Sequence, residues 1–419
     1  MVKTNDSLQG GHVDTYDDPV TGESVDYGVI NWNDYGPARA FFERLGVTSA
    51  APTRNSLVSD FADFTTGLRV NFTTPAGGEM IAALRKIHDI VAPYEDMLLP
   101  GYFNFPQPDL IPEDLLMPFG EFVTKYELEA AVHQMFQVTA MGVGDMLQTP
   151  TMYVLSAFGG PMIRTFLGEQ GALVPASGRN IEVYEAIEAK LGADVLYSST
   201  VVQSLRTSIG VSLWVQNAVT KQYTLVIAKK LLLAIEPTAA NMAPFDMDAR
   251  ERDVFAKLTP TQIHAGLVSH PSLPVGGSLI NTPAASSPNN WMVLPNLPGI
   301  NSRFDWAADG LWRVLLVGDE NFSEAEAKAM LQRDFDTLVA AGTIPAPAAG
   351  VTLEIKAWEN HGPMHMQATA DEIRAGFIQK QYALQGRRST YFTGGAWCVQ
   401  FQAILWAFDD ILLEMMDQE

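Results

Sequence analysis

Leu231-Leu232-Leu233-Ala234-Ile235 is an unbroken apolar run, followed at once by Glu236-Pro237. A strand with one wet face alternates apolar and polar residues, and this run does not. It reads as a strand buried on both faces, of the kind that makes parallel sheets. The stretches before it read differently. Asp194–Tyr197, Val201–Arg206, Val211–Asn217 and Tyr223–Ile227 are short strands in quick succession, and the central ones alternate, so one face meets solvent. Ahead of them Glu182 to Leu191 has helical spacing, and Gly192 supplies the stop. A helix, a group of half-wet strands and then a fully buried strand point to an α/β fold.

The pattern extends outward in both directions. Residues 77–92 predict a helix with Met80, Leu84, Ile87 and Val91 on one face. Residues 93–118 hold six prolines and several aromatics and read as an irregular loop. A second helix is expected over 121–138, with Phe122, Tyr126, Met135 and Phe136 toward the core. Residues 268–300, rich in Pro, Gly, Ser and Asn, read as a long loop. Arg313–Val317 and Val351–Ala357 read as strands. Between them Ser323 and Glu326 form a capping box for a helix running to about Ala341. The chain closes with a strand at Thr390–Thr393, the pair Gly394-Gly395, and a helix at Phe401–Leu413.

Composition bounds the function. The 419 residues are 47% hydrophobic and 18% charged, enough for a large core and a ligand-sized pocket. The net charge of −21 argues against a nucleic acid as partner. A small cationic molecule such as an amine would be drawn to such a surface. The single cysteine, Cys398, excludes an intrachain disulfide and a cysteine-rich metal site. No run of about 18 apolar residues predicts a membrane span, and Met1–Gly11 lacks the form of a signal peptide. A cytoplasmic location is the expectation.

Three constellations bear on chemistry. A strand, a glycine turn and a helix at the C-terminal end let a ligand approach the backbone and meet free helix amides. Gly10-Gly11-His12 near the front is a second glycine turn. His361 and His365 have the i, i+4 spacing of a zinc helix, but the Gly362 and Pro363 between them disfavour a helix, and no metal is expected. No hydrolase elbow or Cys–His dyad motif occurs.

Three blocks, taken in order, resemble the flavin-containing amine oxidase family of FAD-dependent oxidoreductases. The first is Gly10-Gly11-His12-Val13-Asp14-Thr15 with Val25-Asp26-Tyr27-Gly28-Val29. The second runs from Glu182 to Thr238. The third is Ala383–Trp397. The details resemble the fungal subgroup that includes cyclopiazonate dehydrogenase. The resemblance implies a Rossmann-type FAD-binding domain over 1–60, 175–240 and 370–419. It implies a mixed α/β substrate domain over 61–174 and 241–369. It further implies that Gly10, Gly11 and His12 lie along the pyrophosphate and flavin, and that Gly28 and Val29 approach the flavin ring. Val202 would offer its backbone to the adenine. Gly394, Gly395, Ala403, Ile404 and Leu405 would surround the ribityl and pyrimidine side. Tyr391, Phe392 and Trp397 are candidates for aromatic walls beside the substrate.

One departure stands out. The family's Gly-x-Gly-x-x-Gly loop, set between a strand and a helix, binds the pyrophosphate. Gly142-Val143-Gly144-Asp145-Met146-Leu147 lacks the third glycine and a preceding strand. The acidic residue that holds the ribose would fall near Lys3 or Thr4, and neither is acidic. The chain therefore reads as starting inside the second strand of the dinucleotide unit. The expected activity is hydride transfer from a small amine-like molecule to FAD. The alternative is a truncated, non-catalytic relative with weak or no FAD binding.

Overall fold

The computed structural model describes residues 10–53, 56–138 and 145–418. The positions weighed above at Lys3, Thr4 and Gly142–Gly144 lie outside them. The architecture is α/β, with five separate β-sheets and helices packed around them.

The chain opens with a hairpin, β1 (Thr15–Asp17) against β2 (Ser24–Asp26). Strand β3 (Val58–Ala62) follows, and it spans the domain boundary expected at residue 60. Helix α1 (Gly77–Val91) forms where its spacing requires, with Leu84, Ile87 and Val91 buried. The prolines at 93–118 do not leave an irregular loop. They start short helical turns such as Glu113–Leu116, and Leu98, Tyr102, Phe105, Leu115 and Leu116 are core residues. Pro fits the first turn of a helix because its missing N–H has no partner there anyway. The helix expected over 121–138 is two, α2 (Phe119–Tyr126) and α3 (Glu129–Val138). Glu127, left-handed at φ 52°, breaks them.

Helix α4 (Glu182–Leu191) is as expected, stopped at Gly192 with φ 50°. Asp194–Tyr197 is not a strand; residues 192–194 make a helical turn instead. Strands β4 (Ser199–Thr207), β5 (Gly210–Asn217) and β6 (Tyr223–Ala228) form an antiparallel three-stranded sheet. Alternation sets its two faces: Val211, Leu213 and Val215 are buried, while Tyr223, Leu225 and Ile227 are exposed. Next comes β7 (Leu231–Leu233), shorter than the apolar run that predicts it. Ile235 is 40% exposed, so burial on both faces does not extend to the end of the run. Among the described residues β7 pairs only with the late strand Thr390–Phe392.

A short helix, α5 (Ala249–Phe255), carries Glu251. Its carboxylate takes two bonds of 2.8 Å from the Arg206 guanidinium on β4, and both side chains are almost wholly out of solvent. A fork-to-fork pair this deep fixes orientation more than it adds stability.

The largest sheet is built from β3 and five later strands: β8 (Thr259–Ser269), β9 (Gly277–Asn281), β10 (Gly299–Ala308), β11 (Leu311–Gly318) and β12 (Glu354–Gln367). The order is β12-β8-β11-β10-β9-β3, antiparallel except for the β9–β3 pair. Region 268–300 is thus not one long loop, since β9 crosses it. Helix α6 (Glu324–Ala340) begins at the expected capping box, where Ser323 N–H donates to Glu326 Oε2 at 2.8 Å. It lays Leu331, Phe335 and Leu338 against Phe304, Trp312 and Val314 of the sheet. The chain ends with β13 (Thr390–Phe392) and helix α7 (Gln402–Gln418). No helix of the described residues is long and apolar enough to cross a membrane.

Candidate functional site

Strands β7 and β13 run parallel, with Leu233 opposite Phe392, and Thr393 N–H extends the pairing to Leu233 O at 2.9 Å. In open α/β sheets, ligands bind beyond the carboxyl ends of such strands. Here those ends lead to Glu236 and to Gly394-Gly395. The Gly395 N–H donates to Glu236 Oε1 at 3.1 Å, and Gln400 Nε2 donates to the same oxygen at 2.8 Å. Glu236 Oε2 is shut off from solvent with no partner among the described residues. Burial pushes this carboxyl up to about 7, although the hydrogen bonds from Gln400 and Gly395 and the nearby Ala396 amide pull the other way.

The two glycines differ. Gly394 has φ 113°, a conformation that side chains other than hydrogen rarely adopt, and a methyl group there would meet only Glu236 Oε1, 3.8 Å away. A methyl group on Gly395 would lie 2.2 Å from Gln400 Cδ. The following helix does not open at these glycines, as the sequence suggests. Trp397 N–H closes a turn onto Gly394 O at 3.0 Å, residues 396–399 enter the core, and α7 starts only at Gln402.

The front glycine turn meets that helix. Gln402 Nε2 donates to Tyr184 Oη at 2.7 Å and reaches Gly10 O at 3.4 Å, while its Oε1 accepts from Trp32 Nε1. One amide therefore ties Gly10, α4 and α7 together. Gly10 is packed, since a methyl group would lie 2.6 Å from the Tyr184 ring. Gly11, at φ 66°, faces open space. Beyond it the β1–β2 hairpin continues as Tyr27 N–H to Asp14 O (2.9 Å) and Val29 N–H to His12 O (2.8 Å). Gly28 sits where a methyl group would be 2.1 Å from His12 O.

A polar cluster joins the front turn to the long strand β12. His361, on the long strand β12, has Nε2 2.6 Å from Asp14 Oδ2, and both side chains are nearly buried. The His12 ring stacks on His361 at 4.8 Å. The His365 amide, at a left-handed residue, donates to Gln400 Oε1 at 2.7 Å, which links it to Glu236. Burial, assisted by the neighbouring His361 and His365, brings the His12 pKa down to about 3. Burial alone brings His365 to about 3. Both rings are uncharged at neutral pH. His361 and His365 belong to a strand and not to a helix, and bulges in the β8–β12 register accommodate the Gly362-Pro363 stretch.

The other expected positions fall as follows. Val202 is the extra residue of a bulge, between Val201 paired with Val215 and Gln203 paired with Trp214. It is 41% exposed and has no cross-strand partner in that register. Ala403 and Ile404, in the first turn of α7, are buried, and Leu405 is half-buried. Tyr391, Phe392 and Trp397 are core residues; Phe392 and Trp397 stack at 5.0 Å. Sequence reasoning missed Glu236, Gln400, Gln402 and the Asp14–His361 pair. The family block around Ile235-Glu236-Pro237 was the one available signal, an acidic residue at the exit of a buried strand.

Two turns with one left-handed glycine each, a bulge at Val202 and an unpartnered carboxyl oxygen at a strand exit make up the candidate site. They fit the flavin half of FAD, which needs close backbone approach. No Gly-x-Gly-x-x-Gly run occurs in the printed sequence, so these residues do not include the usual pyrophosphate loop.

Comparison with known proteins agrees. No family model matches the chain. Among solved structures, a fatty acid isomerase from P. acnes superposes with a TM-score of 0.74 at 17% identity, covering 99% of this chain and 91% of that one. The cyclohexylamine oxidase of Brevibacterium oxydans gives 0.58 at 15%, covering 99% and 93%. These likenesses show the fold. In sequence, the chain is 32% identical to the FAD-dependent oxidoreductase pigF of Monascus ruber, over 93% of this chain and 80% of that one. It is 31% identical to the beta-cyclopiazonate dehydrogenase of Aspergillus oryzae, over 99% and 87%. The chain belongs to the family of FAD-dependent oxidoreductases, and FAD is its cofactor.

Proposed function

We propose that FAD lies between the front and back glycine turns and that the enzyme removes a hydride from a small amine-like substrate, at a carbon bonded to nitrogen. The observation that supports this reading is the tie between the front turn and the helix that follows the back turn, made by Gln402 on α7 to Gly10 O. Bound FAD supplies the two-electron acceptor. The chain supplies binding and orientation. On this reading Gly10, Gly11 and His12 run along the pyrophosphate and flavin, and Gly28 and Val29 approach the ring. The unpaired backbone at Val202 meets the adenine, and Gly394, Gly395, Ala403, Ile404 and Leu405 surround the ribityl and pyrimidine side. The FAD part comprises 1–60, 175–240 and 370–419, and the substrate part 61–174 and 241–369.

Charge favours an amine. The net charge of −21 attracts a cation. His12 and His365, held neutral, set no positive charge against an arriving ammonium. Tyr391, Phe392 and Trp397 act from the core, as the support behind the turn.

The test has two stages. The purified protein with added FAD should show bound flavin bands near about 370 and 450 nm. Anaerobic addition of putrescine, cyclohexylamine or benzylamine should then bleach the longer band. Absence of bound flavin removes the whole reading. Bound flavin that no amine bleaches removes the amine.

A further inference from the structure

We propose that Glu236 is a proton-holding group coupled to the redox state of flavin bound over the Gly394–Gly395 turn: its carboxylate takes a proton from solvent when that flavin is reduced. The inference rests on the functional reading above and goes beyond it.

Geometry carries the argument. Glu236 leaves the carboxyl end of β7 and Gly394-Gly395 leaves that of β13, so the carboxyl lies where two parallel strands jointly deliver a ligand. Oε1 is fully engaged by Gly395 N–H and Gln400 Nε2. Oε2 is out of solvent and unpartnered. Buried polar groups are nearly always bonded, and the exceptions concentrate where function needs them. No ion pair to Glu236 occurs among the described residues. Glu236 acts on the Cys398 thiol, which is pushed up by burial and by Asp409 and Glu236. Asp409 is likewise raised, to about 6, by burial. With no cation to hold it ionised, burial raises the carboxyl to about 7.

The coupling follows from Coulomb's law in a site screened from water. Reduction adds negative charge to the ring, and a carboxylate under the same turn opposes it. Uptake of a solvent proton at Glu236 relieves that repulsion. Glu236 itself is neither oxidised nor reduced. A purely structural role, propping Gly395 and Gln400, would need Oε1 alone. Glu236→Gln keeps that acceptor and removes the titration.

The experiment uses the full-length, FAD-loaded protein without any organic substrate. Its midpoint potential is measured from pH 5.5 to 8.5 by slow reduction with xanthine and xanthine oxidase beside a reference dye. Above about pH 7 the wild-type potential should fall more steeply with pH than that of Glu236→Gln, because one more proton accompanies reduction. Below pH 6 the two slopes should agree. Glu236→Asp should retain the steeper limb, and Glu236→Met, also non-titrating, should lose it and replaces the Gln variant if that does not fold. Superposable slopes for wild type and the non-titrating variants overturn the proposal and leave FAD binding intact. A wild type that takes up no FAD overturns the functional reading instead.

Discussion

The two glycine doublets are built alike and placed differently. In each, one glycine is demanded by the protein's own packing: Gly10 by the Tyr184 ring, Gly395 by the Gln400 side chain. In each, the other is left-handed and faces open space: Gly11 and Gly394. The doublet motif thus combines a packing residue with a ligand-facing one. The difference lies in what stands behind. At the front it is Gln402, a neutral amide bonded on both of its ends. At the back it is Glu236, an acid with one oxygen unsatisfied. A pair of glycines identifies where a cofactor can approach, and the group behind decides what chemistry that approach can have.

The contrast can be broken most severely beside the front doublet. In Gly28→Ala the new methyl group collides with His12 O and with the Asp14 carboxylate. Neither can yield without undoing the hairpin, and urea unfolding should show a loss of about 3 kcal/mol. A variant as stable as wild type would mean that the hairpin is not held as described. The back doublet should respond through ligand instead. Gly394→Val should weaken FAD about 100-fold, roughly 2.7 kcal/mol, while fluorescence titration and circular dichroism report a folded protein. Unchanged FAD uptake would show that the flavin does not approach this turn.

Charge sharpens the comparison. Glu236 has a folded pKa raised from its usual value to about 7, so its protonated form is favoured by folding. The stability this contributes is complete below about pH 4.5 and is lost as pH rises to about 7. Glu236→Gln should therefore be more stable than wild type at pH 8 by about 3 kcal/mol. The gap should close by pH 4.5, read from melting curves at both pH values. The smallest effect belongs to Gly11→Ala. Space is available there, and only the left-handed backbone resists, at about 1 kcal/mol. A much larger loss in its melting temperature would reveal a neighbour that the front turn is not seen to have.

Much of this was legible beforehand, for identifiable reasons. The run Leu231–Ile235 was legible as a strand of the parallel kind because a strand covered by other elements needs no polar alternation, and Thr390–Thr393 was legible as a strand. The Ser323–Glu326 box located α6 because capping chemistry is local. The large sheet was legible only at Arg313–Val317 in β11 and at the start of β12. Its strand β8 is buried along most of its length, β12 is interrupted by bulges, and β9 lies inside a Pro- and Ser-rich stretch. The glycine positions of the candidate site could be read as turns, but their neighbours could not. Asp14 and His361 are 347 residues apart, and no local pattern pairs them. Burial of Glu236 depends on Gln400, which approaches only after the turn at Trp397 delays the last helix.

The Gln402 amide has a consequence for how the molecule is made. It reaches back across 392 positions to Gly10 and across 218 to Tyr184. During vectorial synthesis that glutamine emerges after both of the groups it bonds. The turn at Gly10 thus waits for its clasp until the distant segment carrying Gln402 has been made.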